Sequence, residues 1–252
     1  MQLCAFVLHL TRAEKRRANA RDLKEKCGLP AEIWPAVDGA AMSAPDLRSS
    51  VDAGLFAPDY PFPLRVGEIG CFLSHRQIWG EMQVREANAA LIIEDDAGLD
   101  MDLFDRALEL ATANIRDLGY IQFQTRAPRS KARLIDTNDP CKLLLPDVGG
   151  LRTTAQLVSR EAAAHLLNAS ARFDRPVDTF VQSHWHTGLR PAMILPSGVL
   201  EIADQLDGST IQASKKSLAE KLTREVKRGL YRRSVRSASR HSTAPQAGFE
   251  HD

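Results

Sequence analysis

The chain has 252 residues, 44% of them hydrophobic and 26% charged, with Lys+Arg 33 set against Asp+Glu 32. A chain of this length buries a sizeable core without disulfide staples, and its even charge balance excludes a general attraction for nucleic acid, so any basic surface must be local. No stretch approaches the ~18 apolar residues of a membrane-spanning helix.

Cys4, Cys27, Cys71 and Cys141 are scattered with no C-x-x-C pair. That spacing favours free thiols in a reducing compartment over a disulfide frame or a zinc site. The N-terminus, MQLCAFVLHLTRAEKRR, puts apolar residues ahead of positive charge. A signal peptide has the opposite order, so the run reads as a first strand and the protein as cytoplasmic.

In chain order, AFVLHL (residues 5–10) has strand composition, and a helix is predicted after it, with Thr11 as cap, Glu14 three residues on, and Gly28 at its stop. Ile33, Trp34 and Val37 predict a second short strand, with a turn at Asp38-Gly39. This β-α-β opening predicts an α/β domain with a mainly parallel central sheet. Residues 43–63 carry Pro45, Pro58, Pro61 and Pro63 and read as a long loop. VGEIGCFLSHRQIWGEMQVREAN (66–88) reads as a glycine-punctuated lead into a helix bearing Ile78, Trp79 and Met82, and ALIIEDD (90–96) as the next strand. A helix over 103–115, a strand over 120–125 and a mobile loop over 127–142 follow. QLVSREAAAHLLNAS (156–170) pairs a short strand with a helix capped by Ser159, and residues 175–196 close the core. From Ser214 the character changes: Leu218, Leu222, Val226 and Leu230 recur every four residues amid ten Lys and Arg. That is a basic amphipathic helix, ending in a frayed tail, STAPQAGFEHD. The predicted division is a domain over 1–213 and a helix with flexible tail over 214–252.

The chemistry concentrates at Glu94, Asp95 and Asp96, where a buried strand runs into three carboxylates. Two carboxylates about 4 Å apart repel by roughly 4 kcal/mol at an effective dielectric near 20. Residues two apart on a strand share a side, so Glu94 and Asp96 point together and open into the crevice where α/β sheets bind ligands. Such a hard oxygen pair can hold Mg²⁺ or Mn²⁺, relieving the repulsion; the bland alternative is a solvated helix cap. Asp95, pointing the other way, serves the fold or orients its neighbours. Gly67, Gly70, Ser74 and His75 can bring backbone N–H groups and two side chains to a ligand. Arg12 and Arg16 follow the first strand, where a nucleotide rests in an open sheet, and arginine suits phosphate. Asp38 can bond a nucleotide's ribose or base edge, or simply close the Asp38-Gly39 turn. His184 and His186 straddle Trp185; in an extended segment both imidazoles would face one side, completing a metal shell or lining an acceptor cleft.

The ordered set PAVDGA, GEIGCFLSH with a tryptophan four residues on, LIIEDDA, TTAQLVS and PVD resembles the family 25 glycosyltransferases, from residue 6 to about 211. The resemblance implies a GT-A-type fold, a UDP-sugar donor (commonly UDP-galactose), a divalent metal on Glu94 and Asp96, and inversion at the anomeric carbon. It also implies a glycan or glycolipid acceptor such as lipooligosaccharide, with Asp178 of Pro176-Val177-Asp178 as the base. His9, Thr11 and Gln156 depart from the family pattern, which usually has an asparagine, an acid and an aromatic there. Arg152 likewise stands where the family stretch G-T-x-x-Y-x-x-S begins with glycine. For the C-terminal helix the alternatives are docking on an anionic membrane surface and packing of its leucine stripe on the core. Two rival functions stay open: metal-dependent phosphoryl hydrolysis, and a degenerate transferase that binds nucleotide sugar or glycan without turnover.

Overall fold

A computed structural model of the chain describes residues 2–206 and 218–245. The elements run β1 (Leu3–His9), a 3-10 turn (Glu14–Arg16), α1 (Arg17–Lys26), β2 (Ala31–Pro35), α2 (Ala44–Ser50), α3 (Val66–Val84), β3 (Ala89–Glu94), β4 (Ala97–Leu99), α4 (Met101–Leu118) and β5 (Tyr120–Phe123). They continue with β6 (Ala132–Asn138), β7 (Cys141–Pro146), β8 (Ala155–Ser159), α5 (Arg160–Ala169), α6 (Val177–Gln182), α7 (His184–Thr187), β9 (Ala192–Leu195), β10 (Val199–Glu201), a second 3-10 turn and α8 (Leu218–Arg240).

Eight strands form one sheet in the order β2-β1-β3-β8-β5-β9-β7-β6. β1 runs parallel to both β2 and β3, and β5 parallel to β9. β8 is antiparallel to β3 and β5, and the β6-β7 hairpin enters antiparallel beside β9. The α/β architecture matches the expectation, with a sheet that is parallel at its N-terminal edge and mixed beyond it. Alternation along the strands builds two cores. Val7, Leu91 and Ile93 pack with α1 and α4 residues such as Leu23, Phe104 and Ile115. Phe6, Ala90 and Ile92 face Trp79 and Met82 of α3, Leu166 of α5 and Phe180 of α6. Each large apolar side chain buried this way contributes roughly 1.5–3 kcal/mol.

Two loops expected from the sequence are ordered differently. Residues 127–142, read as a mobile loop, form most of the β6-β7 hairpin, because Cys141, Leu143 and Leu145 alternate inward under α4. Within 43–63, Ser43 caps α2 by accepting a hydrogen bond from the Asp46 N–H. Phe56 and Pro58 of that segment are pinned by Arg175, which is fully buried. Arg175 pairs with Asp174, donates to the carbonyls of Phe56 and Pro58, and stacks on the Phe56 ring at 3.4 Å.

α8 is helical as expected, but its apolar stripe does not face the body. Leu222, Val226 and Leu230 are 69%, 55% and 63% exposed, while Val235 and Ser239 are buried and Tyr231 meets Arg175. The proposed domain boundary near 213, the side chain of Leu218 and the tail beyond 245 lie outside the described residues. Among the described residues, no helix is long and apolar enough to cross a membrane.

Candidate active site

β3 ends at Glu94, and the alternation that built the two cores decides where the three carboxylates go. Glu94 continues the Ala90/Ile92 side and meets α3: its Oε1 lies 3.8 Å from His75 Nε2 and accepts a 2.7 Å hydrogen bond from the Thr153 hydroxyl. Asp95 continues the opposite side. Its carboxylate is buried, receives Arg16 Nη1 at 2.9 Å and lies 2.7 Å from His9 Nδ1, while its carbonyl accepts from Asn19. Asp96 lies in the turn, where its Oδ2 is 3.0 Å from the same Arg16 Nη1. The side chains of Glu94 and Asp96 keep 28% and 23% of their surface open, so both are reachable from solvent.

The electrostatics follow from that placement. Burial and the Glu94 charge, partly offset by Arg16, push the Asp96 carboxyl up to about 6. Burial also opposes ionisation of Glu94, but His75, Thr153 and Arg16 outweigh it and hold its carboxyl below the ordinary glutamate value. The buried His75 Nε2 has no hydrogen-bond partner, since 3.8 Å is too long for one. Cys71, one turn before His75 on α3, brings its sulfur within 4.8 Å of both His75 and Glu94 ligand atoms. Among the described residues, the side chains whose ligand atoms gather closely enough to hold a cation are Cys71, His75 and Glu94, a carboxylate and an orphaned imidazole nitrogen beside a sulfur; Asp96 lies outside that group, with its Oδ2 taken by Arg16.

The remaining sequence candidates separate into two groups. Arg12 and Asp38 meet each other at 2.6 Å on the open surface, and this arginine, ahead of burial, holds the Asp38 carboxyl below its usual range. The others are committed to the fold. Gly67 and Gly70 do not form a loop ahead of the helix; they lie within the first turns of α3. A Cβ on Gly70 would sit 2.5 Å from the Val37 carbonyl oxygen and 2.8 Å from the Gly39 nitrogen, so the glycine lets the Asp38-Gly39 turn press onto the helix. Ser74, also buried, donates to the Gly70 carbonyl and accepts from the Val37 N–H, clamping the same turn. Arg16 is 5% exposed and holds Asp95 and Asp96 together.

Asp178 lies near the start of α6, across the site. Its Oδ2 accepts the Arg152 N–H at 3.1 Å and its Oδ1 the Thr179 N–H at 2.6 Å, and burial raises its pKa. Burial, and then the charges of Glu94 and Asp178, push the pKa of the Tyr120 hydroxyl up, and that hydroxyl has no hydrogen-bond partner among the described residues. His184 and His186 do not share a side, because α7 is helical there. His184 turns inward to Ser242, Ser239 and the Asp147 carbonyl, and His186 stacks on Phe56 at 3.6 Å.

Sequence reasoning missed Thr153, Cys71, His9 and Arg152. The spacing of Cys71 and His75, four apart on one helix, was a readable signal. For Arg152 the signal was the glycine that opens the family stretch at that position: its φ of 82° is a backbone state that favours glycine.

Comparison with known proteins adds an independent observation. The sequence profile of the family described as Glycosyltransferase family 25 (LPS biosynthesis protein) matches residues 2–181. The chain is 40% identical over 101 residues to a "Glycosyltransferase 25 family member" of Drosophila pseudoobscura pseudoobscura, covering 38% of this chain and 16% of that protein. It is 32% identical over 188 residues to "Procollagen galactosyltransferase 2" of Homo sapiens, covering 70% of this chain and 29% of that protein. It is also 36% identical over 110 residues to "Inactive glycosyltransferase 25 family member 3" of Mus musculus, covering 41% of this chain and 18% of that protein. The match thus spans less than a third of the length of each of these relatives.

Proposed function

The chain belongs to glycosyltransferase family 25, and on that premise we propose that it transfers a hexose, galactose or a relative of it, from a UDP-sugar to a surface-glycan acceptor such as lipooligosaccharide. The observation that carries this reading is the accessible Glu94–Asp96 pair at the carboxyl end of β3, inside the matched region. Mn²⁺ or Mg²⁺ held by Glu94 and Asp96 would supply positive charge against the departing diphosphate.

The protein's own groups have distinct tasks in this scheme. Thr153 fixes the Glu94 carboxylate, and Arg16, gripping Asp95 as well, fixes that of Asp96. Arg12 and Asp38 are exposed enough to open their pair and take a nucleotide phosphate and a ribose. Asp178 accepts the proton of the attacking hydroxyl. Its raised pKa suits that task, and the Arg152 and Thr179 N–H groups hold it in place.

Membrane association belongs to the same proposal. The exposed stripe Leu222, Val226 and Leu230 is flanked by Lys227 and Arg233, a combination that suits an anionic leaflet on the cytoplasmic side. A second reading, binding without turnover, has support in Asp178, both of whose oxygens already accept main-chain N–H groups.

The test is a thermal-shift series with UDP, GDP and UDP-sugars, with and without Mn²⁺, on wild type and Asp96→Asn. A ligand at 100-fold its Kd stabilises by about 2.7 kcal/mol, roughly 5–11 °C for a domain of this size. A UDP-dependent rise that needs Mn²⁺ and disappears in the variant is expected; no rise with any nucleotide would remove the transferase reading. Release of UDP only in the presence of acceptor then separates transfer from binding alone.

A further inference from the structure

Beyond Asp178 a cavity of about 420 Å³ opens between the 126–130 segment, the 148–152 segment and the inner face of α8. Its size falls in the ~300–1,000 Å³ range of small-molecule sites. Six arginines line it: Arg126, Arg129, Arg152, Arg228, Arg232 and Arg236. Three come from α8 at intervals of four, so they project from one helix face, the face that also turns Tyr231 and Val235 inward.

So much like charge is only partly compensated. Glu201 pairs with Arg126 and Arg152, and Glu225 with Arg228. Arg129, Arg232 and Arg236 have no carboxylate partner among the described residues. Arg152 is kept in the left-handed backbone region, φ 82°, a conformation that costs a non-glycine residue free energy. The same residue lines the cavity with its side chain and donates its N–H to Asp178, so cavity wall and candidate base are one structure.

The lining also has parts that suit a sugar ring. Tyr60 meets Phe62 and Tyr231 edge to face, at 5.7 and 5.6 Å, forming an aromatic wall. Gln124 and Gln182 add amides beside it.

We propose that this cavity is an acceptor subsite selective for a glycan bearing a phosphate monoester or carboxylate, with Arg129, Arg232 and Arg236 gripping the anionic group and the Tyr60 wall packing on the sugar. Guanidinium groups match such oxyanions in paired hydrogen bonds, which a neutral sugar cannot offer. The inference deepens the transferase reading and rests on it for the word acceptor. The anion itself can come from a substituted glycan or from a lipid headgroup, and the outer stripe of α8 leaves the inner arginines free for the glycan.

The experiment titrates the full chain with glucose 6-phosphate, glucose and inorganic phosphate by calorimetry, and with phosphatidylglycerol vesicles by co-sedimentation, on wild type and Arg232→Ala/Arg236→Ala. Both positions are exposed, so the variant folds, and circular dichroism verifies it. Glucose 6-phosphate is expected to bind at least tenfold more tightly than either glucose or phosphate. The double variant is expected to lose at least tenfold in that affinity while vesicle binding changes less than twofold. Equal binding of glucose and its phosphate, equal binding of inorganic phosphate, or a variant that loses vesicles but keeps glucose 6-phosphate would overturn the proposal. UDP binding with Mn²⁺, measured on the same protein, separates failure of this subsite from failure of the transferase reading: the donor half can succeed while this subsite fails, and the reverse.

Discussion

Gly70→Ala distinguishes a glycine that permits packing from one that cradles phosphate. The new Cβ would lie 2.5 Å from the Val37 oxygen, against ordinary contact at 3.4–4 Å, and both of its nearest neighbours are main-chain atoms. Relief therefore needs nearly 1 Å of movement between α3 and the 37–39 turn, which Ser74 also ties to the helix. Overpacking of this kind costs up to about 3 kcal/mol. The better helix propensity of alanine returns about 1 kcal/mol. The net loss of about 2 kcal/mol corresponds to a Tm roughly 4–8 °C lower. Gly80→Ala is the control on the same helix, because nothing lies within 4 Å of its added Cβ. It should gain up to about 1 kcal/mol. Urea unfolding of both variants, with UDP binding measured alongside, is the assay. If Gly70→Ala is as stable as Gly80→Ala, or loses nucleotide while keeping wild-type stability, the packing account is wrong.

Arg16→Met should cost about 3–5 kcal/mol, because it leaves the buried Asp95 and its neighbour Asp96 without their shared cation; a loss under 1 kcal/mol in urea titrations would contradict that role. His184 is buried, and burial, with Arg190 adding to it, lowers its pKa from 6.5 to about 4. The folded state thus keeps it neutral while the unfolded chain takes up a proton below about 6.5. Stability attributable to it is complete above pH 6.5 and falls as pH drops toward 4, by up to about 3 kcal/mol. The difference between wild type and His184→Gln should therefore shrink across that window; parallel pH profiles would refute the assignment. Leu222→Glu/Leu230→Glu should leave stability within about 0.5 kcal/mol, since both side chains are exposed, while abolishing co-sedimentation with anionic vesicles. Val235→Ala, on the buried side of the same helix, should cost roughly 1.5 kcal/mol.

Local pattern was enough for the parts of this protein that depend on near neighbours. The strand–helix opening, the Ser159 cap and the buried run into Glu94 were legible because alternation, capping and helical spacing act over a few residues. The same alternation correctly sent Glu94 and Asp95 to opposite sides of the sheet. Periodicity also identified α8 but left open whether its leucine stripe meets a membrane or the core; the body covers Tyr231, Val235 and Ser239, and the stripe stays exposed.

Other features depend on residues distant in sequence. Arg16 reads as a phosphate ligand just after the first strand, yet Asp95 and Asp96, some 80 positions on, draw it into burial. Gly70 looks like part of a ligand loop until the turn at Gly39 is placed against it. The hairpin over 127–142 has too few apolar residues to declare itself, and it orders because α4 and β9 offer its inward side a surface. The arginine cavity gathers side chains from 126 to 236, with Arg152 in a backbone state set by its surroundings. Sequence fixes each residue's intrinsic charge, shape and local preference. Which charges meet, and which glycines are pressed, is decided only when the sheet brings the separate segments together.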